Sequence, residues 1–156
     1  MQLVGMMDSP YVRRVAISMK LMGLPFEHQS ISVFRQIEQF RQINPLVKVP
    51  TLVCDDGAIL MDSTLILDYL DTLVTAERSL MPAEPHARRR ALQHIGIALV
   101  AFEKAVQRFY ELTLRPADKL HPPWLDRVTW QLVEAFDELE KIVPAAMPWL
   151  HGEHIS

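Results

Sequence analysis

The chain has 156 residues, of which 49% are hydrophobic and 22% are charged, and its formal net charge is −3. This is the composition of a globular protein with enough apolar side chains for a core, in one ordinary domain or two small ones. The slightly acidic balance excludes a global field that would favour nucleic acid, and Arg88-Arg89-Arg90 is better explained as an exposed helix start. The single cysteine, Cys54, excludes an internal disulfide and a Cys-x-x-Cys motif.

No segment is typical of a signal peptide or a membrane anchor. The first apolar run is short and lacks a basic leader, and the longest runs, such as residues 97–102, are far below the roughly 20 residues that a membrane span needs. We therefore expect a soluble, cytoplasmic protein without a membrane partner. Cys54 lies in an apolar run, where a buried and inert thiol is expected.

The chain begins with the pattern of a strand, a turn and a helix. Residues 2–6 predict a strand, and Ser9-Pro10 is a strong helix start, because serine caps free amides and proline suits the first helical position. Gly23 ends the helix, and residues 26–30 are compatible with a second strand. The inward face of the helix is predicted to carry Val12, Val15, Ala16, Met19 and Met22.

The next segments complete an α/β unit. Residues 34–43 predict a short helix, and Asp55-Asp56-Gly57 between two apolar runs predicts a hairpin. Asp62-Ser63 then opens a helix that runs to about Leu73. Residues 1–75 therefore predict the order β-α-β-α-β-β-α. The inward residues of the short helix are predicted to be Phe34, Ile37, Phe40 and Ile43.

The remainder of the chain predicts a separate all-α domain. Residues 76–84 predict a linker, with prolines nearby. Residues 85–156 contain two long segments in which apolar residues recur at steps of three and four, which is typical of helices that pack against each other. Pro144 and Pro148 are expected to end the second helix. The first helix is predicted to face its partner with Leu92, Ile95, Leu99, Phe102, Val106 and Phe109. The second is predicted to do so with Leu125, Val128, Leu132, Ala135, Phe136, Leu139 and Ile142.

Two of the predicted helices begin with polar residues directly after a strand, at Ser9 and at Asp62-Ser63. If those strands run parallel, both helix starts lie at the same end of the sheet, where ligands bind in open α/β folds. Helix N-terminal amides stabilise anions. Each cap alone is more simply structural, but the pair suits a small zwitterion with separated anionic groups.

Three motifs in order resemble the N-terminal domain of cytosolic glutathione transferases: Ser9-Pro10-Tyr11, Val49-Pro50-Thr51-Leu52, and Asp62-Ser63 before Ile66-Leu67-Asp68-Tyr69-Leu70. The sequence is more similar to the serine- and cysteine-type classes (tau, omega and bacterial relatives) than to the tyrosine-type classes. The resemblance implies an α/β thioredoxin-like N-terminal domain followed by an all-α helical domain.

The resemblance also implies roles for the residues of these motifs. Ser9 would donate a hydrogen bond to the glutathione sulfur, and Val49, before a cis Pro50, would pair its backbone with the cysteinyl part. Asp62 would bind the γ-glutamyl ammonium, while Ser63 and the helix amides would bind the γ-glutamyl carboxylate. Asp62 stands where many relatives carry Glu or Gln, which are longer.

The resemblance implies roles for further residues as well. Gln36 and Lys48 are candidates for the glycyl end of glutathione, and an exposed structural role is equally compatible with each. The acceptor pocket for an electrophile is expected to involve Met7, Tyr11, Phe102, Val106 and Phe109.

The implied function is conjugation of glutathione, as co-substrate and without a further cofactor, to small electrophiles by a homodimer. The alternative is a non-catalytic interaction module of the same fold, which would not require Ser9 or Asp62-Ser63. Because Ser9 and Val12 occupy the places of the two thioredoxin cysteines, dithiol exchange by this motif is excluded, and an omega-like reductase is disfavoured.

Three further expectations concern the second domain. His121, His151 and His154 match no metal-ligand spacing, so no metal site is predicted. Family members continue for several more helices, so the chain is expected to lack the last third of the helical domain and to expose an apolar strip. A dimer contact would bring Asp68, Asp71 and Glu77 of one copy near Arg88 to Arg90 of the other.

Overall fold

The computed structural model describes residues 1–143, 149–150 and 155. The chain forms two compact units, Met1–Leu80 and Met81–Ser156. No regular element lies between Asp71 and Pro85, in the part of the chain that was predicted to be a linker. The finer division into residues 1–75, 76–84 and 85–156 stays a prediction.

The first unit contains a mixed four-stranded sheet with the strand order β2-β1-β3-β4. Strand β1 pairs in parallel with β2 and antiparallel with β3, and β3 pairs antiparallel with β4. Because β1 and β4 both run opposite to β3, they run in the same direction. The strands are β1 (Gln2–Val4), β2 (Glu27–Gln29), β3 (Thr51–Val53) and β4 (Ile59–Met61).

Three helices cover the sheet, and they confirm the predicted β-α-β-α-β-β-α order and the thioredoxin-like fold. Successive strand residues point to opposite faces, so Leu3 and Val4 face different helices. The Leu3 face packs against α1 and α3, and the Val4 face packs against Phe40 of α2. The helices are α1 (Pro10–Leu21), α2 (Ile37–Ile43) and α3 (Ser63–Asp71).

Helix α1 is as predicted, because each of its predicted inward residues is buried and Gly23 after it has a φ of +70°. The hairpin is also confirmed: Gly57 has a φ of +85°, and the Cys54 amide donates to the Ala58 carbonyl at 2.8 Å. Positive φ is the conformation that glycine adopts at least cost.

The prediction for helix α2 was wrong in two respects. The helix begins at Ile37 instead of residue 34, and Phe34 and Ile37 are 54% and 43% exposed. The cause is Ser32, whose hydroxyl accepts from the amides of Phe34 and Arg35, both at 3.2 Å. Such a local turn competes with helical hydrogen bonds and delays the helix.

The second unit consists of α4 (Pro85–Leu114), a short 3-10 turn (Ala117–Lys119) and α5 (Pro122–Ile142). Glu84 caps α4 by accepting from two backbone amides at 2.8 and 2.7 Å, and these bonds lower the pKa of its carboxyl. The predicted stops Pro144 and Pro148 lie outside the described residues.

Helices α4 and α5 pack against each other, but their predicted inner faces are only partly buried. The buried apolar positions are small or β-branched, Ala91 and Ala101 on α4 with Val128 and Ala135 on α5. Leu92 (53%), Phe109 (58%) and Phe136 (54%) are exposed, contrary to the prediction that they face inward. A pair of helices covers one stripe of each partner and cannot cover a wider apolar face.

The expected exposed apolar surface is present on this unit. Among the described residues of α4 and α5, large apolar side chains that are exposed include Leu92, Val100, Phe109, Leu112, Trp130, Val133 and Phe136. Within the same described part of the chain, no helix is both long enough and apolar enough to cross a membrane.

Candidate functional site

Ser9 follows the turn after β1 and caps α1. Its hydroxyl oxygen accepts from the Val12 amide at 3.4 Å, and its carbonyl accepts from the Arg13 amide at 3.0 Å. The side chain of Arg13 donates to the Met7 carbonyl at 3.1 Å and so holds the turn before Ser9. Ser9 is half-buried, and because its oxygen serves as the cap, its hydroxyl proton is available to an anion.

A second cap, Asp62, lies at the end of β4 and begins α3. Its carboxylate accepts from the Thr64 amide at 2.9 Å, and its φ of 67° is a costly conformation for a residue other than glycine. Strained residues of this kind occur preferentially at functional sites. Ser63 follows at the first helical position and is 2% exposed.

The starts of α1 and α3 lie at the same end of the sheet, as the sequence predicted. Both helices follow strands that run in one direction, and both pack on the Leu3 face. Two sets of helix N-terminal amides with hydroxyl groups therefore occupy one end of one layer. Each set is a favourable place for negative charge.

The Val49-Pro50 peptide bond is cis, as the resemblance implied. The preceding loop is held by buried polar groups: Asn44 donates to the Thr51 hydroxyl at 2.9 Å, and this hydroxyl donates to the Lys48 carbonyl at 2.6 Å. Asn44 also accepts from the Leu46 amide at 3.0 Å. This bracing role of Asn44 is not apparent from the sequence.

Gly5 directly follows β1 and lies next to Val12 of α1 and next to Val49. A Cβ atom at this position would lie 2.7 Å from Val12 Cγ2 and 2.8 Å from Val49 Cγ1. The Gly5 carbonyl oxygen accepts from Nε2–H of the His28 ring at 2.7 Å. The missing side chain of Gly5 therefore lets the side chains of Val12 and Val49 approach the end of β1 closely.

Arg14 is a site residue that the sequence analysis did not identify. Its guanidinium donates to the hydroxyls of Ser63 and Thr64, at 3.1 and 3.2 Å. Burial lowers the pKa of Arg14, and the nearby Asp62 carboxylate opposes this shift. No local pattern in the sequence marks Arg14, because its partners are 49 and 50 positions away.

The two remaining residues predicted to bind glutathione, Gln36 and Lys48, are both exposed. Gln36 is exposed and engaged locally, because its Oε1 accepts from the Ser32 amide at 3.1 Å and its Nε2 donates to Gln39 at 2.9 Å. The Lys48 side chain is exposed on the braced loop. The roles of both residues at the glycyl end stay predictions.

The predicted acceptor residues are distributed over the two units. Met7 and Tyr11 are half-buried beside Ser9 in the first unit. Phe102, Val106 and Phe109 lie on α4 in the second unit. Their common role in binding an electrophile stays a prediction.

A shallow cavity of about 360 Å³ lies at the opposite end of the sheet and includes Gln2, Glu27 and Cys54. Cys54 is 8% exposed, and burial raises the pKa of its thiol, although a hydrogen bond with Tyr69 opposes this shift. A protonated, buried thiol is unreactive, in agreement with the prediction. Among the described residues no cluster of metal-ligating side chains occurs, and the predicted non-ligands His151 and His154 lie outside them.

Comparisons with known proteins agree with this geometry. Residues 3–78 match the family model for the N-terminal domain of glutathione S-transferases. Glutathione S-transferase U4 from Arabidopsis thaliana is 31% identical over 128 residues, which cover 76% of this chain and 56% of that protein. The chain spans about half the length of the curated relatives that it matches, including 40% of glutathione S-transferase U1 from the same plant, to which it is 35% identical.

Solved structures show the same fold. A glutathione S-transferase from Methylobacterium radiotolerans, in complex with glutathione sulfonate, has a TM-score of 0.89 at 24% identity and matches 99% of this chain and 72% of that one. A glutathione transferase family member from Pseudomonas fluorescens Pf-5, with bound glutathione, is 33% identical, has a TM-score of 0.78 and matches 90% of this chain and 70% of that one. The chain therefore belongs to the glutathione S-transferase family.

Proposed function

We propose that this protein is a glutathione transferase that conjugates the thiolate of glutathione to small electrophiles. The observation that carries the proposal is the pair of hydroxyl-bearing helix starts, Ser9 on α1 and Ser63 on α3, at one end of the sheet. The glutathione bound in the Pseudomonas relative supports this choice of ligand.

The proposed role of Ser9 follows from the chemistry of thiols. A free thiol has a pKa of about 8.5, so only a few per cent is thiolate at neutral pH. A hydroxyl donor and the N-terminus of α1 both favour the anion, and each unit of pKa corresponds to about 1.4 kcal/mol. Ser9 acts as a hydrogen-bond donor and does not need to ionise.

The other proposed contacts hold the peptide part of the ligand. The Val49 backbone, before Pro50, pairs with the cysteinyl residue of glutathione. At the start of α3, the Asp62 carboxylate binds the γ-glutamyl ammonium, and the Ser63 hydroxyl with the first helix amides binds the γ-glutamyl carboxylate. Glutathione is then a co-substrate, and the proposal includes no other cofactor.

We also propose a cytoplasmic homodimer in which α3 of one copy contacts α4 of the other. Exposed apolar side chains on α3, Leu65 (65%) and Tyr69 (37%), lie beside the exposed acid Asp68. Arg89 and Arg90 are exposed near the start of α4. The apolar patch and the opposite charges support a contact between copies.

Calorimetric titration with glutathione tests the proposed function. We expect saturable binding with one site per chain, and we expect Ser63→Ala to weaken it by about tenfold, because a hydrogen bond to a charged group contributes about 1.5–3 kcal/mol. Ser79→Ala is the control for removal of a hydroxyl elsewhere in the unit. A protein that does not bind glutathione would be the non-catalytic interaction module instead.

A further inference from the structure

The hydrogen bond from the Val12 amide to the Ser9 hydroxyl is too long to fix that hydroxyl by itself. Its nitrogen and oxygen are 3.4 Å apart, whereas N–H···O bonds in proteins are commonly about 2.9–3.0 Å long. A bond of this length restrains the serine side chain only weakly. The position from which Ser9 donates therefore depends on the backbone of the turn before it, residues 6–8.

This turn is held by Arg13, which lies one helical turn beyond the Ser9 cap. The Nε–H of Arg13 donates to the Met7 carbonyl at 3.1 Å, and the Arg13 amide donates to the Ser9 carbonyl at 3.0 Å. The Ser9 amide donates to the Met6 carbonyl at 3.2 Å. Arg13 thus contacts the turn through its side chain and contacts Ser9 through its backbone.

The bond between Arg13 and Met7 is suited to positioning and adds little to stability. It joins residues six positions apart and does not belong to the hydrogen-bond ladder of α1. Arg13 is exposed, so water can replace the bond after a substitution and the loss of stability should be small. The effect of the bond should therefore be on the geometry of the turn.

We propose that Arg13 is a positioning residue of the reaction: by holding the Met7 carbonyl, it keeps the Ser9 hydroxyl where it can donate to the thiolate of glutathione. The proposal rests on the proposed function, in which Ser9 is that donor. Arg13 acts through the turn, and its charge does not need to reach the sulfur. None of the three motifs of the site includes this residue.

The test separates the hydrogen bond of Arg13 from its charge. Arg13→Gln removes the charge but keeps an N–H donor, because glutamine Nε2 is as many bonds from the backbone as arginine Nε. Arg13→Met has a side chain of the same length with neither property. The control Lys20→Met removes an exposed cation at the other end of the same helix. The measured quantity is the thiol pKa of bound glutathione, followed by ultraviolet thiolate absorbance.

We expect Arg13→Met to raise the thiol pKa of bound glutathione by about half a unit to one unit, because a displaced hydroxyl stabilises the thiolate less. Arg13→Gln and Lys20→Met should each stay within about 0.3 unit of the unmodified chain. Glutathione affinity, measured at a pH where the thiol is protonated, should be unchanged in each variant. In a Ser9→Ala background, Arg13→Met should cause no further rise, because both residues act through one hydroxyl.

Two outcomes would show that the charge of Arg13 acts on the thiolate directly, and each would overturn the proposal. One is an equal rise of the thiol pKa in Arg13→Gln and Arg13→Met. The other is an equal rise caused by Arg13→Met with and without Ser9. If Arg13→Met does not fold, Arg13→Leu takes its place in the comparison.

The same titrations distinguish failure of this proposal from failure of the proposed function. An unchanged thiol pKa in Arg13→Met, together with a raised one in Ser9→Ala, would overturn this proposal alone. An unchanged thiol pKa in Ser9→Ala would overturn the role of Ser9, and this proposal with it. Failure of the unmodified chain to bind glutathione would overturn the proposed function and this proposal together.

Discussion

At the scale of single residues, Gly5 shows how closely the candidate site is packed. Its φ of +135° belongs to the region that L-residues rarely adopt, and an added Cβ would meet Val12 and Val49 at less than 3 Å. The Val12 side chain is fully buried and cannot move without displacing the core. Gly5 is therefore required both for its backbone conformation and for its lack of a side chain.

We predict that Gly5→Ala lowers the free energy of unfolding by about 2–4 kcal/mol, because strain and overpacking each cost about 1–3 kcal/mol. Urea unfolding measures the change. Gly57→Ala is the matched control, since Gly57 has a φ of +85° but no atom within 4 Å of an added Cβ. Equal losses in the two variants would show that packing at Gly5 contributes nothing.

Several roles of single residues could be predicted from the sequence, and others could not. The caps at Ser9 and Asp62 were predicted, because a helix cap is a local pattern that short-range sequence contains. The roles of Arg14 and Asn44 depend on partners brought near only by the tertiary fold, and Arg14 lies 49 positions from Ser63. The spacing of apolar residues indicates which face of a helix a residue occupies, but it does not identify the polar group that the residue contacts.

At the scale of elements, the loop before β3 depends on two buried polar side chains. Asn44 is 1% exposed and Thr51 is fully buried, and together they fix the backbone from Asn44 to Lys48. Val47 in this loop has a φ of 50°, a conformation that a β-branched residue adopts only under constraint. The position of the Val49 backbone is thus determined by hydrogen bonds of the loop.

We predict that Asn44→Ala destabilises the protein by about 2–3 kcal/mol, because it leaves buried groups without their hydrogen-bond partners. Thermal and urea unfolding measure this loss, and glutathione affinity should fall in parallel. Gln42→Ala removes an exposed amide from α2, the helix that precedes Asn44, and should change stability by less than about 0.5 kcal/mol. If the two variants were equally stable, the loop would not need the Asn44 network.

Element order was more predictable than element ends. The hairpin and α1 were predicted because glycine, proline and capping residues mark them directly. The start of α2 was placed too early because apolar spacing at Phe34 and Ile37 resembles a helix, whereas the Ser32 hydroxyl bonds the amides of the first turn. Side-chain competition for backbone amides is the physical reason for this error.

At the scale of the whole molecule, exposed large apolar side chains occur on each of α3, α4 and α5. Leu65 on α3 and Trp130 on α5 are 65% and 59% exposed. Exposed apolar patches of this kind mark contact surfaces. For α3 and α4 the proposed partner is a second copy of the chain, because acidic residues lie beside the first surface and arginines beside the second.

We predict that Arg90→Glu raises the dissociation constant of the dimer by roughly tenfold, since like charges replace opposite ones across the contact. Sedimentation velocity at several protein concentrations measures this change. Arg127→Glu reverses an exposed charge on α5 and should leave the constant unchanged. A sedimentation coefficient that is the same for Arg90→Glu and the unmodified chain would argue against a contact at the start of α4.

In the proposed function, Ser9 stabilises the thiolate of bound glutathione. The most direct measurement is the thiol pKa of bound glutathione, followed by ultraviolet thiolate absorbance during a pH titration, in the unmodified chain, Ser9→Ala and the control Ser30→Ala. We predict that Ser9→Ala raises this pKa by about one to two units, with glutathione affinity largely retained, while Ser30→Ala leaves it unchanged. If the pKa of the bound thiol is the same in Ser9→Ala as in the unmodified chain, Ser9 does not stabilise the thiolate.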